Sequence, residues 1–396
     1  MNREKFVGVF FNRCSQRLVA LCAMVVCLIC LFACGGGGVG EGGTGGVKTQ
    51  STGRVTGTSD DTIEVNGVQY DKKQATVIDG FNQPIPTDRV TLGVWVDVQG
   101  LSGDGNQKAQ AHVIRVRPAM RGRVTQVDAL NRRFSVLGSQ GQLDQDAVLE
   151  GIDDVGQLRL GDWVEVHGTL AQTSGGIDVT RLEKLKAPAP TYELRGLVTR
   201  VNAADRTMTV GGQKIDYARA SVALRMALQV GIVVRVSSSQ PPVDDQWWVV
   251  DRVGDDQWLV GNAAQVLAEG VVTQFQAGPV FSLEGLVVDA TSADKSYTVT
   301  GDGQRVAVVG VLKGDVLKAQ AVRVVSPGEP VIFTLTGLVK QFKSPTDFYI
   351  GNLPINASAA KIVGGTSSDL ANGRKVTVRG EVRSPGLFAI RLEFVD

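Results

Sequence analysis

The sequence predicts an all-β chain, built as a tandem array of small barrels. Three observations predict it. A glycine turn leading into an alternating strand recurs as Leu92 to Gly100, Leu160 to Gly168, Val230 to Val236 and Asn372 to Gly380. In each copy the alternate positions are aliphatic (Val96 and Val98, Val164 and Val166, Val234 and Val236, Val376 and Val378), so one face is buried and the other carries Asp, Glu, Arg or Thr. Five segments open with Gly-x-Val, at Gly53, Gly122, Gly196, Gly270 and Gly337, spaced about 69, 74, 74 and 67 residues apart. Finally, the composition is hydrophobic (43%) yet poor in aromatics (6%) and rich in glycine (48 residues), which suits several small β cores with many turns better than one large core.

Within each segment the strands follow in a fixed order. The Gly-x-Val opening is succeeded by a polar turn and a second alternating strand, at Thr62 to Gly67, Phe134 to Gly138, Met208 to Gly212, Phe281 to Gly285 and Phe348 to Gly351. Asn66-Gly67 and Gly211-Gly212 are hairpin signals that lead to a third strand, such as Val68 to Asp71 or Leu286 to Ala290. The chain is then less regular. The apolar spacing of Val222, Met226 and Val230 predicts a short helix within 217–230, and Asp144 to Leu158 is a weaker helical candidate. The glycine-led fourth strand follows, cut down in the fourth repeat to about Arg305 to Gly310. A fifth strand closes each unit, at His112 to Val116, Ile177 to Leu182, Trp247 to Val253, Leu317 to Val324 and Leu387 to Phe394. Five strands with an irregular connection between the third and fourth is the plan of the OB-fold, a Greek-key barrel that leaves no sheet edge; open sandwiches and SH3-like barrels also fit. Pro118, the Ala187 to Pro190 run and Pro327 to Pro330 read as stiff linkers.

The N-terminus is an address. Met1 to Arg17 is basic, Leu18 to Phe32 is an uncharged apolar run, and Leu31-Phe32-Ala33-Cys34 resembles the bacterial lipobox, with Phe32 bulkier than is usual there. That resemblance implies cleavage before Cys34, acylation of its thiol and a lipid-anchored protein of the bacterial envelope. The glycine run from Gly35 to Gly46 reads as a tether; flexible as far as Thr52, it would span roughly 25 Å. Gly35 after the cysteine resembles lipoproteins forwarded to the outer membrane. The expected division is 1–33 signal peptide, 34–52 acylated cysteine and tether, and repeats over 53–118, 119–188, 189–254, 255–327 and 328–396.

Charge and cysteine content exclude several function classes. Arg3, Lys5, Arg13 and Arg17 against Glu4 leave +3 in the first 33 residues, so the rest of a chain of net +1 carries −2 and is no expected partner for nucleic acid. Cys14, Cys22, Cys27, Cys30 and Cys34 are the only cysteines, so the body has neither a thiol nucleophile nor a cysteine-ligated metal. His112 and His167 lie in different repeats with no convergent partners in sequence. The pairs Asp60-Asp61, Asp153-Asp154, Asp244-Asp245 and Asp255-Asp256 show no calcium-loop spacing and read as turn and cap residues. The expectation is a chain with no catalytic residue, no metal and no cofactor.

The tryptophans are the candidate ligand contacts. Trp95 and Trp163 occupy equivalent positions on the face opposite the valines, where a ring needs cover from a neighbouring repeat or from a ligand such as a glycan or peptide. Trp247, Trp248 and Trp258 cluster at the end of the third repeat; of the adjacent pair, one is expected in the core and the other at the surface.

The motifs Phe281-x-Leu283-x-Gly285-x-x-Val288 and Leu312 to Val322 resemble a domain-of-unknown-function family found as tandem repeats in proteobacterial lipoproteins. The resemblance implies fold and envelope location and carries no assigned chemistry. The function expected is a non-catalytic binding or structural scaffold in the periplasm or at the cell surface, held to the membrane by its lipid and partnered by envelope proteins or glycans. The alternatives are a glycan- or peptide-binding OB-type module and a hydrolase with a site between repeats.

Overall fold

A computed structural model describes residues 46–396 apart from 104–106, 172–174, 244–245, 257–258, 260, 295–298 and 396. Cys34, the segment before it and the glycines to Gly45 lie outside the described residues, as do Asp244-Asp245 and Trp258. Gly46–Asp396 forms one compact unit. Among the described residues it is all β, with three single-turn 3-10 helices and no α-helix.

The first repeat contributes β1 (Val47–Thr58), β2 (Thr62–Val65), β3 (Val68–Asp71), β4 (Thr76–Ile78), β5 (Trp95–Ser102) and β6 (Lys108–Val116). The second contributes β7 (Met120–Asp128), β8 (Arg133–Val136), β9 (Ser139–Glu150), β10 (Trp163–Leu170) and β11 (Ile177–Lys184). The third has β12 (Tyr192–Asn202), β13 (Thr207–Val210), β14 (Gln213–Asp216), β15 (Ser221–Ala223), β16 (Val233–Ser238), β17 (Trp248–Val249) and β18 (Arg252–Asp255). Then come β19 (Ala263–Thr273), β20 (Val280–Leu283), β21 (Leu286–Asp289), β22 (Arg305–Lys313) and β23 (Val316–Val324). The last are β24 (Ile332–Ser344), β25 (Asp347–Ile350), β26 (Leu353–Asn356), β27 (Lys361–Val363), β28 (Lys375–Arg383) and β29 (Gly386–Phe394).

One circuit of pairings recurs. In the first repeat β1 pairs with β2, β2 with β3, β3 in parallel with β6, β6 with β5 and β5 back with β1, closing a small barrel-like sheet. The same order runs through β7-β8-β9-β11-β10, and through β24-β25-β26-β29-β28. Alternation buries the valines inside each circuit: Val55, Val96 and Val98 belong to one core, Val376 and Val378 to another. A shared device closes the fourth strand onto the fifth. At Gly100, Gly168, Gly310 and Gly380 the ladder shifts register, and a Cβ there would sit 2.0–2.2 Å from a carbonyl oxygen of the fifth strand.

The repeats are joined strand to strand. β1 pairs in parallel with both β19 and β24, and β7 pairs antiparallel with β12, giving one 17-stranded and one 12-stranded sheet.

Several expectations need correction. Neither helix forms: within 217–230 lies β15, whose Val222 is exposed along with Met226 and Val230, so a helical stripe there would have nothing to pack against. Asp144 to Leu158 is the end of β9 followed by a single 3-10 turn, Val155–Gln157. The tether does not extend to Thr52, because β1 starts at Val47 and its residues 47–52 are laddered to β5. Pro118 is no free linker either; it is buried, and its carbonyl accepts from Arg235 Nη1 at 2.6 Å. The fourth strand of the fourth repeat is longer than expected, reaching Lys313.

Candidate functional site

The polar faces of the first and fourth strands meet in one register. The residue before each opening glycine lies opposite the middle polar position of the glycine-led strand: Thr52 with Asp97, Arg121 with Glu165, Arg195 with Arg235, Glu269 with Ala307 and Thr336 with Thr377. Alternation sends these side chains away from the valine cores. Through most of the body that outward face is not wet. The repeats pack with these faces toward one another, and the charged side chains become a buried network.

Asp256 is its centre. The carboxylate accepts from Arg117 of the first repeat and from Arg195 and Arg235 of the third, the last at 3.0 Å. Arg117 also donates to Asp97 Oδ1 at 3.0 Å and Thr52 Oγ1 at 2.8 Å, Arg195 reaches Glu284 in the fourth repeat, and Arg235 reaches Glu193. Arg121 of the second repeat bridges Glu165 (2.8 Å) and Glu193 (3.2 Å), and Arg89 donates to Glu165 at 2.7 Å. Outlying ties repeat the theme: Arg54 forms a two-pronged pair with Asp146 at 3.0 Å, and Arg305 of the fourth repeat holds Glu269 at 2.7 Å and Asp144 at 3.4 Å.

Burial would by itself raise the Asp256 carboxyl, but Arg117, Arg195, Arg235 and Arg115 together hold it well below the usual carboxylate range. For Glu165 burial is likewise outweighed, by Arg121 and the hydrogen bond from His167. Arg115 is the least well served. Burial lowers its guanidinium to about 10, because its carboxylate, Asp97 Oδ2, stands 3.6 Å away and Arg235 and Arg117 are close. Charge balances at the centre, where Arg115, Arg117, Arg195 and Arg235 face Asp97, Glu193, Asp256 and Glu284, all buried. Between Thr52, Asp97, Arg117, Asp256 and Glu284 lies a cavity of about 20 Å³, room for a water molecule. Among the described residues no group of three or more His, Cys, Asp and Glu is arranged to hold a metal ion.

His167 sits inside this network and His112 is exposed on β6, far from it in the ladder. The Trp95 backbone N–H donates to His167 Nδ1 at 3.4 Å, which leaves the proton on Nε2 to be donated to Glu165 Oε1 at 3.1 Å. Burial lowers the imidazole pKa, so the ring is neutral with both nitrogens engaged. It orients Glu165 and ties the first repeat to the second.

Both candidate contact rings are covered by neighbouring repeats. Trp95 is 2% exposed, with the Arg305 guanidinium 5.8 Å from its ring centroid. Trp163 is 9% exposed and packs on Tyr192 of the third repeat at 4.6 Å, with the Arg123 guanidinium 5.8 Å from its ring centroid. In the third repeat Trp248 is in the core and Trp247 is 47% exposed.

Of the aspartate pairs, Asp154 caps the 3-10 turn by accepting from Gly156 N, while Asp61 pairs with Lys73 and Asp60 with Lys375. Asp256 departs from the turn-and-cap expectation, because the chain carries it past β18 into the inter-repeat contact. The arginines around it were not expected at all. Arg115 and Arg117 carry no local mark of burial in the sequence; the one local signal is that each of the first four register pairs includes a charged residue, whereas the fifth, Thr336 with Thr377, is uncharged.

The family model of a domain of unknown function (DUF5666) matches residues 52–111, 121–177 and 195–242, three tandem copies that fall on the first three repeats. The resemblance expected over the whole body is thus matched in three stretches within 52–242, and the motifs at Phe281 to Val288 and Leu312 to Val322 lie outside them. No curated protein matches the chain.

Proposed function

We propose that this chain is a lipid-anchored lipoprotein of the bacterial envelope, acylated at Cys34, whose body is a rigid non-catalytic scaffold of five OB-like barrels. The recurring circuit first-second-third-fifth-fourth, with third and fifth strands parallel, supports the OB-like reading. The observation that carries the scaffold reading is the charge network: polar groups of four repeats, His167 included, are committed to one another across the repeat contacts. Such pairs fix relative position more than they add stability, because desolvation offsets most of their attraction. The lipobox-like Leu31 to Cys34 and the glycine run support attachment through a short leash, with the outer membrane as its site.

The test is metabolic labelling in a bacterial host. The full chain takes up labelled palmitate and partitions into detergent, and Cys34→Ala abolishes both. Label retained by that variant, or a mature N-terminus elsewhere than Cys34 by mass spectrometry, rejects the anchor.

A further inference from the structure

The outer face of the third repeat carries a row of side chains that the inter-repeat network leaves free. Arg200 of β12 lies opposite Thr209 of β13, and Thr209 opposite Lys214 of β14. Ile215 pairs in parallel with Trp248, so Lys214 and Trp247 precede them side by side. Val201, Met208, Ile215 and Trp248 form the next row, in the same register, and the last three are in the core. By alternation Arg200, Thr209, Lys214 and Trp247 stand on the opposite face, where Trp247 is 47% exposed and both cations are exposed. Strand spacing makes this row about 14 Å long.

Its chemistry is specific. Trp248 Nε1 donates to the Gln240 carbonyl at 2.9 Å, which pins the strand that presents Trp247. Neither Arg200 nor Lys214 makes an ion pair or hydrogen bond through its side chain among the described residues, although arginines elsewhere in the body are heavily paired. Asp216, two rows along on the same face, accepts the Ala218 N–H at 2.8 Å from its own turn. A flat ring at one end of a row that continues with an ammonium, a hydroxyl and a guanidinium offers an apolar surface for one face of a sugar, with donors placed along the row for hydroxyls and carboxylates.

We infer that this face of the third repeat is a binding site for an acidic polysaccharide, with Trp247 stacking on a sugar ring and Lys214 and Arg200 receiving carboxylates along the chain. The span of about 14 Å, three strand spacings, covers two to three sugar residues. A single-stranded nucleic acid fits less well: successive bases stack on several aromatics in a cationic groove, and this row has one ring and two cations. The site does not depend on the lipid anchor.

The experiment is affinity electrophoresis of the full chain in neutral detergent, through gels containing polygalacturonate, neutral dextran or single-stranded poly(dT), with tryptophan fluorescence followed in solution. Polygalacturonate retards the chain and changes its emission, while dextran and poly(dT) do neither. Trp247→Ala weakens binding about thirtyfold, the loss typical of an aromatic anchor, and Lys214→Gln weakens it about tenfold with added salt sensitivity lost. Both positions are exposed, so each variant keeps the parent unfolding midpoint. Unchanged migration in polygalacturonate, or equal retardation of parent and Trp247→Ala, overturns the assignment. Retardation by poly(dT) that disappears in the same variants overturns it in favour of nucleic acid.

Discussion

Arg117, which closes the first repeat, donates to Asp256, which closes the third, across 139 residues of sequence. The pair is buried, and two further guanidiniums, Arg195 and Arg235, converge on the same carboxylate. Removing the carboxylate leaves three buried cations facing one another, whereas removing one arginine leaves two to neutralise it.

Asp256→Ala is therefore expected to lower stability by about 3–5 kcal/mol, the usual result of breaking a buried ionic set from one side. Urea unfolding followed by tryptophan emission measures it. A loss below about 1 kcal/mol would mean that the network is hydrated and of little structural weight.

The pH response has two limbs of opposite sign. Asp256 and Glu165 titrate below their unfolded values, so their contribution is present above about pH 4 and is lost as pH falls through the folded values. Asp178 behaves oppositely: burial, and then the neighbouring Asp144, raise its carboxyl to about 6 against the single cation Arg305. A raised carboxyl favours folding below its unfolded value near 3.8 and loses that advantage as pH climbs through about 6. Asp178→Asn should thus stabilise by about 1 kcal/mol at pH 7.5, a figure reduced for partial solvent screening, and be neutral at pH 4. Thermal unfolding at the two pH values checks this; an equal effect at both would remove Asp178 as the cause.

Trp163→Ala should cost about 3–5 kcal/mol, because the ring fills the contact between the second and third repeats against Tyr192. A drop in unfolding midpoint is the readout. An unchanged midpoint would show that the ring is not part of that packing.

A chain begun at Thr52 should be less stable than one begun at Gly46 by about 2 kcal/mol or more, since it lacks ladder bonds to β5 and β19 and the Ser51 to Tyr70 hydrogen bond of 2.6 Å. Equal midpoints for the two would return residues 47–51 to the tether.

The strands were legible because their signals are local. Val96 and Val98 alternate with polar residues, and Asn66-Gly67 supplies the positive φ angles of a tight turn, at 52° and 77°. The third strand of the first repeat falls on Val68–Asp71, as its sequence indicates. What the sequence concealed is the fate of the other face. Asp97, Glu165 and Arg235 look like solvent-facing residues until another repeat is laid against them, and no periodicity reports which repeat that is. Trp95 and Trp163 were the legible part of that contact, since an outward ring demands cover; Arg305, which holds the place of Trp95 in the fourth repeat, and Tyr192 of the third provide it, and nothing local in the sequence pairs either with its ring. The expected helix at 217–230 failed for the converse reason: its apolar spacing was real, but Val222, Met226 and Val230 have no partner surface.

The parallel pairing of β1 with β19 sets the order in which this body can be completed. Thr49 to Thr52 face Gln265 to Ala268, and Asn66 Nδ2 donates to the Leu267 carbonyl across 201 residues. While the chain emerges, the first strand made must wait for the fourth repeat, with one backbone edge unsatisfied and loop-closure entropy opposing its capture. A chain interrupted after the third repeat would keep that edge permanently, presenting a template on which a second such fragment could add its own strand.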